Sequence, residues 1–177
     1  HEGNVQCHTA SGGTFNPTRS GLHHWAGGPL GVFKCREGYV YIAVLPNQWQ
    51  SFCNALGKPE MASDPLFADN AARVKNRDAL NAIIDAHLAK YANAVEAATD
   101  MAEKHRVPIA PILSVAEAVK HPHLIERETI RTISDPVFGE YQVPGMPLRF
   151  SEFPGHLNLR ADYLGEQSQE IIAWKRG

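Results

Sequence analysis

Residues 31–67 constrain this chain more than any other stretch. Residues 32–35 and 39–45 are rich in β-branched and aromatic side chains, and Arg36, Glu37 and Gly38 lie between them. Gly38 stands where a short hairpin loop commonly needs positive φ, so the two runs are predicted to pair as a β-hairpin. The second run does not alternate apolar with polar residues, which predicts a strand inside a sheet and covered on both faces. After Pro46 and Asn47, the residues Trp49, Phe52, Cys53 and Leu56 recur at i, i+3, i+4 and i+7, and Gly57 and Pro59 follow as stop signals. That spacing predicts a helix packed against the hairpin.

The other signals surround this unit with helices and one more hairpin. Leu80, Ile83, Ile84, His87, Leu88 and Tyr91 form a continuous helical stripe, on which His87 reads as a core or boundary residue. Asn93 with Glu96, and Ser114 with Glu117, have capping-box spacing and predict two further helix starts. Residues 107–113 are apolar but broken by Pro108 and Pro111, so they predict a short or edge strand. Residues 127–134 alternate as in a half-exposed strand, Asp135 to Gly139 read as a turn, and residues 140–143 as the returning strand.

Residues 1–26 hold Gly3, Gly12, Gly13, Pro17 and Gly21 with no period of two or 3.6, and read as an extended linker arm. Beyond residue 143, Pro144, Gly145, Pro147, Pro154 and Gly155 mark a second arm, ending near residues 170–177 in a helix with an apolar side still to bury. The fold class expected is α+β: a small antiparallel sheet with packed helices over residues 27–143, flanked by arms over 1–26 and 144–177. Two long arms around a compact unit are what a domain joined to another body has, and the opening on His1 without an initiator methionine fits a chain cut from a longer one.

Charge and composition narrow the function classes. With 44% hydrophobic and 20% charged residues, and no run near the roughly 18 apolar residues of a membrane span, no membrane partner is expected. A net charge of −2 without a Lys/Arg cluster gives no footprint for nucleic acid. Cys7, Cys35 and Cys53 are an odd count at wide spacing, which argues against a disulfide framework and for a reducing, cytoplasmic setting. No P-loop, zincin, nucleophile-elbow, C-x-x-C or dinucleotide fingerprint occurs. His23 with His24, and His121 with His123, are the closest histidine pairs, but neither has ligand spacing on one helical face, so no metal site is expected. The Trp25-Ala26-Gly27-Gly28-Pro29 run admits two readings: a flexible joint, or a lid whose backbone N–H groups approach a ligand closely.

In order and spacing, the motifs resemble the formyl-CoA transferase type of class III CoA-transferase. They are Gly27-Gly28-Pro29, Val32-Phe33-Lys34-Cys35, Gly38-Tyr39-Val40-Tyr41-Ile42, Trp49, Leu56-Gly57-Lys58-Pro59-Glu60 and Asp64-Pro65-Leu66-Phe67. They continue through Arg73, Asn76-Arg77, the run from Val107 to Ser114, Gly145-Met146-Pro147-Leu148-Arg149-Phe150-Ser151 and Leu164-Gly165-Glu166-Gln167. The resemblance implies a small domain with arms leading to a Rossmann-like large domain, an interlocked homodimer, and acyl-CoA and carboxylate substrates. A CoA thioester is then a substrate, and no cofactor is implied. The family's nucleophile is a large-domain aspartate that forms an enzyme-bound mixed anhydride. No aspartate of this chain matches it, so no catalytic residue is assigned here and the chain alone is expected to be inactive. What carries over is the glycine loop, with Gly27, Gly28 and Pro29 as substrate-binding residues. It is shorter in glycine than the family's longest loops; Glu37 and Gln167 replace the usual aspartate and histidine. The alternatives are an α-methylacyl-CoA racemase-like enzyme, whose chemistry is proton abstraction beside the thioester, and a non-catalytic dimerisation module.

Overall fold

The computed structural model describes residues 2–25, 27–152 and 160–176. Pro154, Gly155 and Ala26, which the sequence assigns to the arms and the glycine loop, lie outside the described residues. The chain divides into two compact units, residues 1–112 and 113–177.

The first unit begins with a helix, α1 (Glu2–Ala10), in place of the extended chain expected at the start of residues 1–26. Its residues from Gly3 to Ala10 are exposed, so α1 has no apolar face and leaves no period to read. It ends at Gly12 and Gly13, both at positive φ, with Gly13 N–H donating to the His8 carbonyl at 2.9 Å. Residues 14–20 have no regular secondary structure.

Strands β1 (Leu30–Lys34) and β2 (Tyr39–Ala43) form the predicted hairpin, in the register Val32 to Tyr41 and Phe33 to Val40, with Gly38 at φ 78° in the turn. The short strand β3 (Ile109–Pro111) pairs with the free side of β2, giving the antiparallel order β1-β2-β3. β2 is therefore central, as expected, but it is covered on one face only. Val40 and Ile42 are fully buried, while Tyr39 and Tyr41 are each 44% exposed. The core packs on the face of Val40 and Ile42, and the opposite face carries amphipathic tyrosines whose hydroxyls tolerate water.

Four helices follow β2 and precede β3. They are α2 (Trp49–Ala55), entered through a 3-10 turn at Pro46–Gln48; α3 (Asn70–Lys75); α4 (Arg77–Leu88); and α5 (Ala94–His105). Phe33, Val40, Ile42, Trp49, Phe52, Cys53, Leu56, Leu80, Ile84, Leu88, Ala97, Ala98 and Met101 make one core between sheet and helices. The predicted stripe of α4 supplies Leu80, Ile84 and Leu88 to it, and the small residues Ala94, Ala97 and Ala98 bring α5 close to its neighbours. The caps are those the spacing predicts. Asn93 Oδ1 accepts from Glu96 N–H at 2.9 Å, while the Glu96 carboxylate reaches back to Ala92 N–H at 2.7 Å.

The second unit contains α6 (Val115–Ala118), started by the reciprocal Ser114–Glu117 box, then α7 (Pro122–Glu126), the hairpin of β4 (Ile130–Asp135) with β5 (Gly139–Pro144), and α8 (Ser168–Arg176). Asp135 shapes the turn of that hairpin. Its Oδ1 accepts from Val137 N–H at 2.8 Å, Phe138 N–H at 2.9 Å and the Tyr163 hydroxyl at 2.6 Å. On α8, Ile171, Ile172 and Trp174 are exposed. Mixed helices and small antiparallel sheets make the chain an α+β protein. No helix among the described residues is long and apolar enough to cross a membrane.

Candidate functional site

Gly27, Gly28 and Pro29 lie where the approach to β1 meets the surface of α3 and α4. The approach is stitched to the sheet by His24 N–H to the Leu30 carbonyl at 2.7 Å and Val32 N–H to the Leu22 carbonyl at 2.9 Å. This pairing brings the backbone of Leu22 and His23 onto Gly31, where a Cβ would lie 2.7 Å from His23 Cα and closer still to the Leu22 carbonyl oxygen. Only glycine fits there. The peptide between Gly28 and Pro29 is cis, and the Pro29 carbonyl accepts from Val44 N–H at 3.0 Å, which ties this point to the end of β2.

Three side chains spaced four apart on α3 and α4 hold this segment from the other side. Arg73 Nε donates to the Gly28 carbonyl at 2.8 Å, Arg77 Nη2 to the Trp25 carbonyl at 2.8 Å, and Asn81 Nδ2 to His23 Nδ1 at 3.3 Å. Side chains at i, i+4 and i+8 share one helical face, so they present a polar ladder to the passing chain. Asn76 lies at the junction of α3 and α4 and donates through Nδ2 to the carbonyls of Leu66 and Ala72, both at 3.0 Å.

Arg73 is 3% exposed and has no carboxylate in salt-bridge contact among the described residues. Its charge is met by carbonyl dipoles: besides Gly28, Nη1 donates to Phe67 at 2.8 Å and to Ala68 at 3.3 Å. The guanidinium also lies over the ring of Trp49, 4.5 Å from its centroid. Burial pulls the arginine pKa down, opposed by the nearby Asp69 carboxylate. Burial likewise pushes the neighbouring Cys53 thiol up to about 11, so it is no candidate nucleophile.

Gly28 and Pro29 are buried and Gly27 is half-buried. A Cβ on Gly28 would lie 3.4 Å from Arg73 Cβ, and one on Gly27 would lie 3.2 Å from Leu30 Cδ2, so both glycines allow close contact. The run that the sequence reads as a flexible joint or a lid is tethered at Trp25, Gly28 and Pro29. The N–H groups of Gly27 and Gly28 donate to no described residue. Nearby, His23 Nε2, Trp25 Nε1 and Arg77 Nε are buried without a hydrogen-bond partner among the described residues.

The sequence motifs include Arg73 and Arg77 without assigning them a role, and they do not reach Asn81. The signal that finds all three is their four-residue spacing on one helical face. His87 is half-buried, as expected of a boundary residue. It faces a shallow apolar cleft of about 280 Å³ between α4 and the end of α2, lined by Leu56, Lys58, Ile83, Ala86 and Lys90. Burial first, then the Lys90 charge, hold its pKa below the ordinary value. Its Nε2 lies 3.3 Å from the Tyr91 hydroxyl, which donates to Asp100 at 2.6 Å.

Several aspartates are already engaged in the fold. Asp64 accepts from Leu66 N–H, Asp69 caps α3, Asp100 takes Tyr91 and Lys104, and Asp135 takes the three donors of its turn. Among the described residues no three His, Cys, Asp or Glu side chains are grouped to hold a metal ion.

The family model described as CoA-transferase family III matches residues 4–168. A formyl-CoA:oxalate CoA-transferase of Streptomyces coelicolor is 30% identical over 90% of this chain and 39% of its own length. A succinyl-CoA:mesaconate CoA-transferase of Haloarcula hispanica is 29% identical over 89% of this chain and 39% of its own. The chain therefore spans about two-fifths of the curated relatives it matches. Among solved structures, a CAIB/BAIF family protein from Brucella suis superposes with a TM-score of 0.69 at 30% identity, over 97% of this chain and 43% of that one. A mutant form of Rv3272 from Mycobacterium tuberculosis shares the fold with the same TM-score at 22% identity, over 81% of this chain and 39% of that one. With the match extending over both compact units, the chain belongs to CoA-transferase family III.

Proposed function

We propose that the protein containing this chain is an acyl-CoA:carboxylate CoA-transferase, and that residues 1–177 supply its small domain and its connection to a Rossmann-like large domain. In the reaction, an aspartate carboxylate outside this chain attacks the thioester carbonyl. The carbon–sulfur bond breaks, CoA leaves as the thiolate, and a mixed anhydride remains on the enzyme. The role assigned to this chain is that of a wall. Gly27, Gly28 and Pro29 border the acyl group, and the N–H groups of Gly27 and Gly28 stay available to its oxygen atoms.

The observation that carries this reading is the tethered glycine segment in a chain matched over residues 4–168. That no aspartate of this chain matches the family's nucleophile supports placing it elsewhere. The substrates are an acyl-CoA and a carboxylate. The pairs printed for the relatives, formyl-CoA with oxalate and succinyl-CoA with mesaconate, are the first to assay. An interlocked homodimer in a reducing cytoplasm is part of the same proposal, as is the inactivity of residues 1–177 alone.

The test is hydroxylamine trapping of the full-length protein during turnover, followed by mass mapping of the hydroxamate. A label on an aspartate outside residues 1–177 is expected, and a label inside them overturns the reading. Exchange of the α-proton into heavy water without a carboxylate acceptor would instead identify racemase chemistry. A full-length protein that forms dimers but neither labels nor exchanges would be a dimerisation module.

A further inference from the structure

We infer that Arg77, with Arg73 and Asn81, is a positioning residue for the glycine segment, and that the ladder sets how well an acyl-enzyme is shielded from water. The inference rests on the reading of Gly27, Gly28 and Pro29 as the border of the acyl group. It adds a residue set assigned to act through the chain segment it holds rather than on the acyl group.

The geometry separates the three rungs by what they support. Arg73 is at the centre of the packing: it holds Gly28, Phe67 and Ala68 together and lies over Trp49, so its loss disturbs the core itself. Asn81 holds a side chain, the Nδ1 of His23, at 3.3 Å. Arg77 does something narrower. Its Nη2 reaches the Trp25 carbonyl at 2.8 Å across 52 positions, two residues before Gly27, and the contact is part-buried. Arg77 begins α4 and is half-buried, so its side chain is less enclosed than that of Arg73. The carbonyls of Trp25 and Gly28 are thus each held by a guanidinium. Releasing the first leaves the N-terminal side of Gly27 held by the pairing of Leu22 and His24 with β1 and by Asn81 on His23, so the change is local to Trp25.

The chemical consequence concerns the mixed anhydride. Water attacking it gives the free acid, restores the enzyme carboxylate and releases a proton, while CoA is lost as free thiol instead of passing to the acceptor. A glycine segment held in place excludes that water, and a loosened one admits it.

The experiment uses the full-length protein with Arg77→Gln and Arg77→Lys. Hydrogen exchange of the peptide spanning residues 22–30 is read first, because it needs no substrate. Exchange at least tenfold faster in Arg77→Gln, and largely restored in Arg77→Lys, is expected; unchanged exchange overturns the inference. Turnover is then followed with formyl-CoA and oxalate, and with succinyl-CoA and mesaconate, measuring free CoA thiol released per CoA transferred. A rise of about fivefold or more in that ratio, with KM for the acyl-CoA within twofold, is expected for Arg77→Gln. A ratio that stays constant while exchange accelerates shows that the ladder has a structural role only, and overturns it. If the unsubstituted protein forms no hydroxamate with either pair, it is the transferase reading that fails, and the exchange result alone then decides whether Arg77 anchors the segment.

Discussion

Arg73 Nε and the Gly28 carbonyl oxygen meet at 2.8 Å although 45 positions separate the two residues, and the contact is buried. It joins the start of the helical layer to the glycine segment that leads into the sheet. A buried arginine whose partners are carbonyls is tolerated because Nε and Nη1 donate to three carbonyls and the flat face of Trp49 covers the ion.

Replacing that arginine tests the arrangement directly. Arg73→Met keeps much of the volume but strands the carbonyls of Gly28 and Phe67, each losing a partner in a buried setting. A loss of about 2–4 kcal/mol in urea unfolding is expected, with Arg73→Lys intermediate because an ammonium cannot span the fork of carbonyls. A loss below about 1 kcal/mol for Arg73→Met would show that water satisfies the carbonyls.

Trp49 is 4% exposed, opens α2 and lies under the Arg73 guanidinium. Trp49→Ala is expected to lower stability by about 3–5 kcal/mol in chemical denaturation, as a large-to-small change in a packed core. Its effect should also be less than additive with Arg73→Met, since each removes the other's partner. Strict additivity in the double mutant would place the two residues in independent environments.

Two glycines at positive φ separate steric crowding from backbone strain. Gly57, at φ 69°, has open space around its Cβ position, so Gly57→Ala should cost about 1 kcal/mol from the left-handed backbone alone. Gly31, at φ 151°, would drive a methyl group into the Leu22 and His23 backbone. Gly31→Ala should be the more damaging by at least about 1 kcal/mol in parallel thermal melts. Equal losses would mean that the approach of residues 22–23 to β1 is not held in solution.

The second unit should respond to pH through Asp135. The Tyr163 hydroxyl, with Phe138 N–H, holds its carboxyl below the ordinary carboxylate range, and the same hydrogen bond raises the Tyr163 pKa. A depressed folded-state pKa means that the carboxylate contributes stability above its unfolded value, which is lost as pH falls through the folded one. The phenol works in the other direction: its contribution is present below the unfolded value and is lost as pH rises through the folded one. Arg160 faces the pair as well. Melting temperatures between about pH 2 and 6 should therefore fall less steeply for Tyr163→Phe than for the unsubstituted protein; parallel curves would remove Tyr163 as the partner that matters.

How far the residues alone reach depends on whether an element carries its own period. The hairpin, α2, α4 and the capping of α5 and α6 are all legible, because apolar spacing and cap residues are local to each. α1 is not, because a helix exposed on every side has no stripe. The open face of β2 is not legible either: Tyr39 and Tyr41 have strong strand character, and only the count of layers packed on the sheet decides whether they meet protein or solvent.

The glycine segment lies on both sides of this boundary. By itself the sequence determined that Gly27, Gly28 and Pro29 precede a strand, that the chain is α+β, and that its motifs follow those of class III CoA-transferases. Only the tertiary structure decided that the segment is tethered, and by which side chains. The four-residue spacing of Arg73, Arg77 and Asn81 places them on one side, but it does not name the backbone and histidine more than forty residues away that they meet. Those contacts exist only once the core of Leu80, Ile84 and Trp49 has brought α3 and α4 against the approach to the sheet.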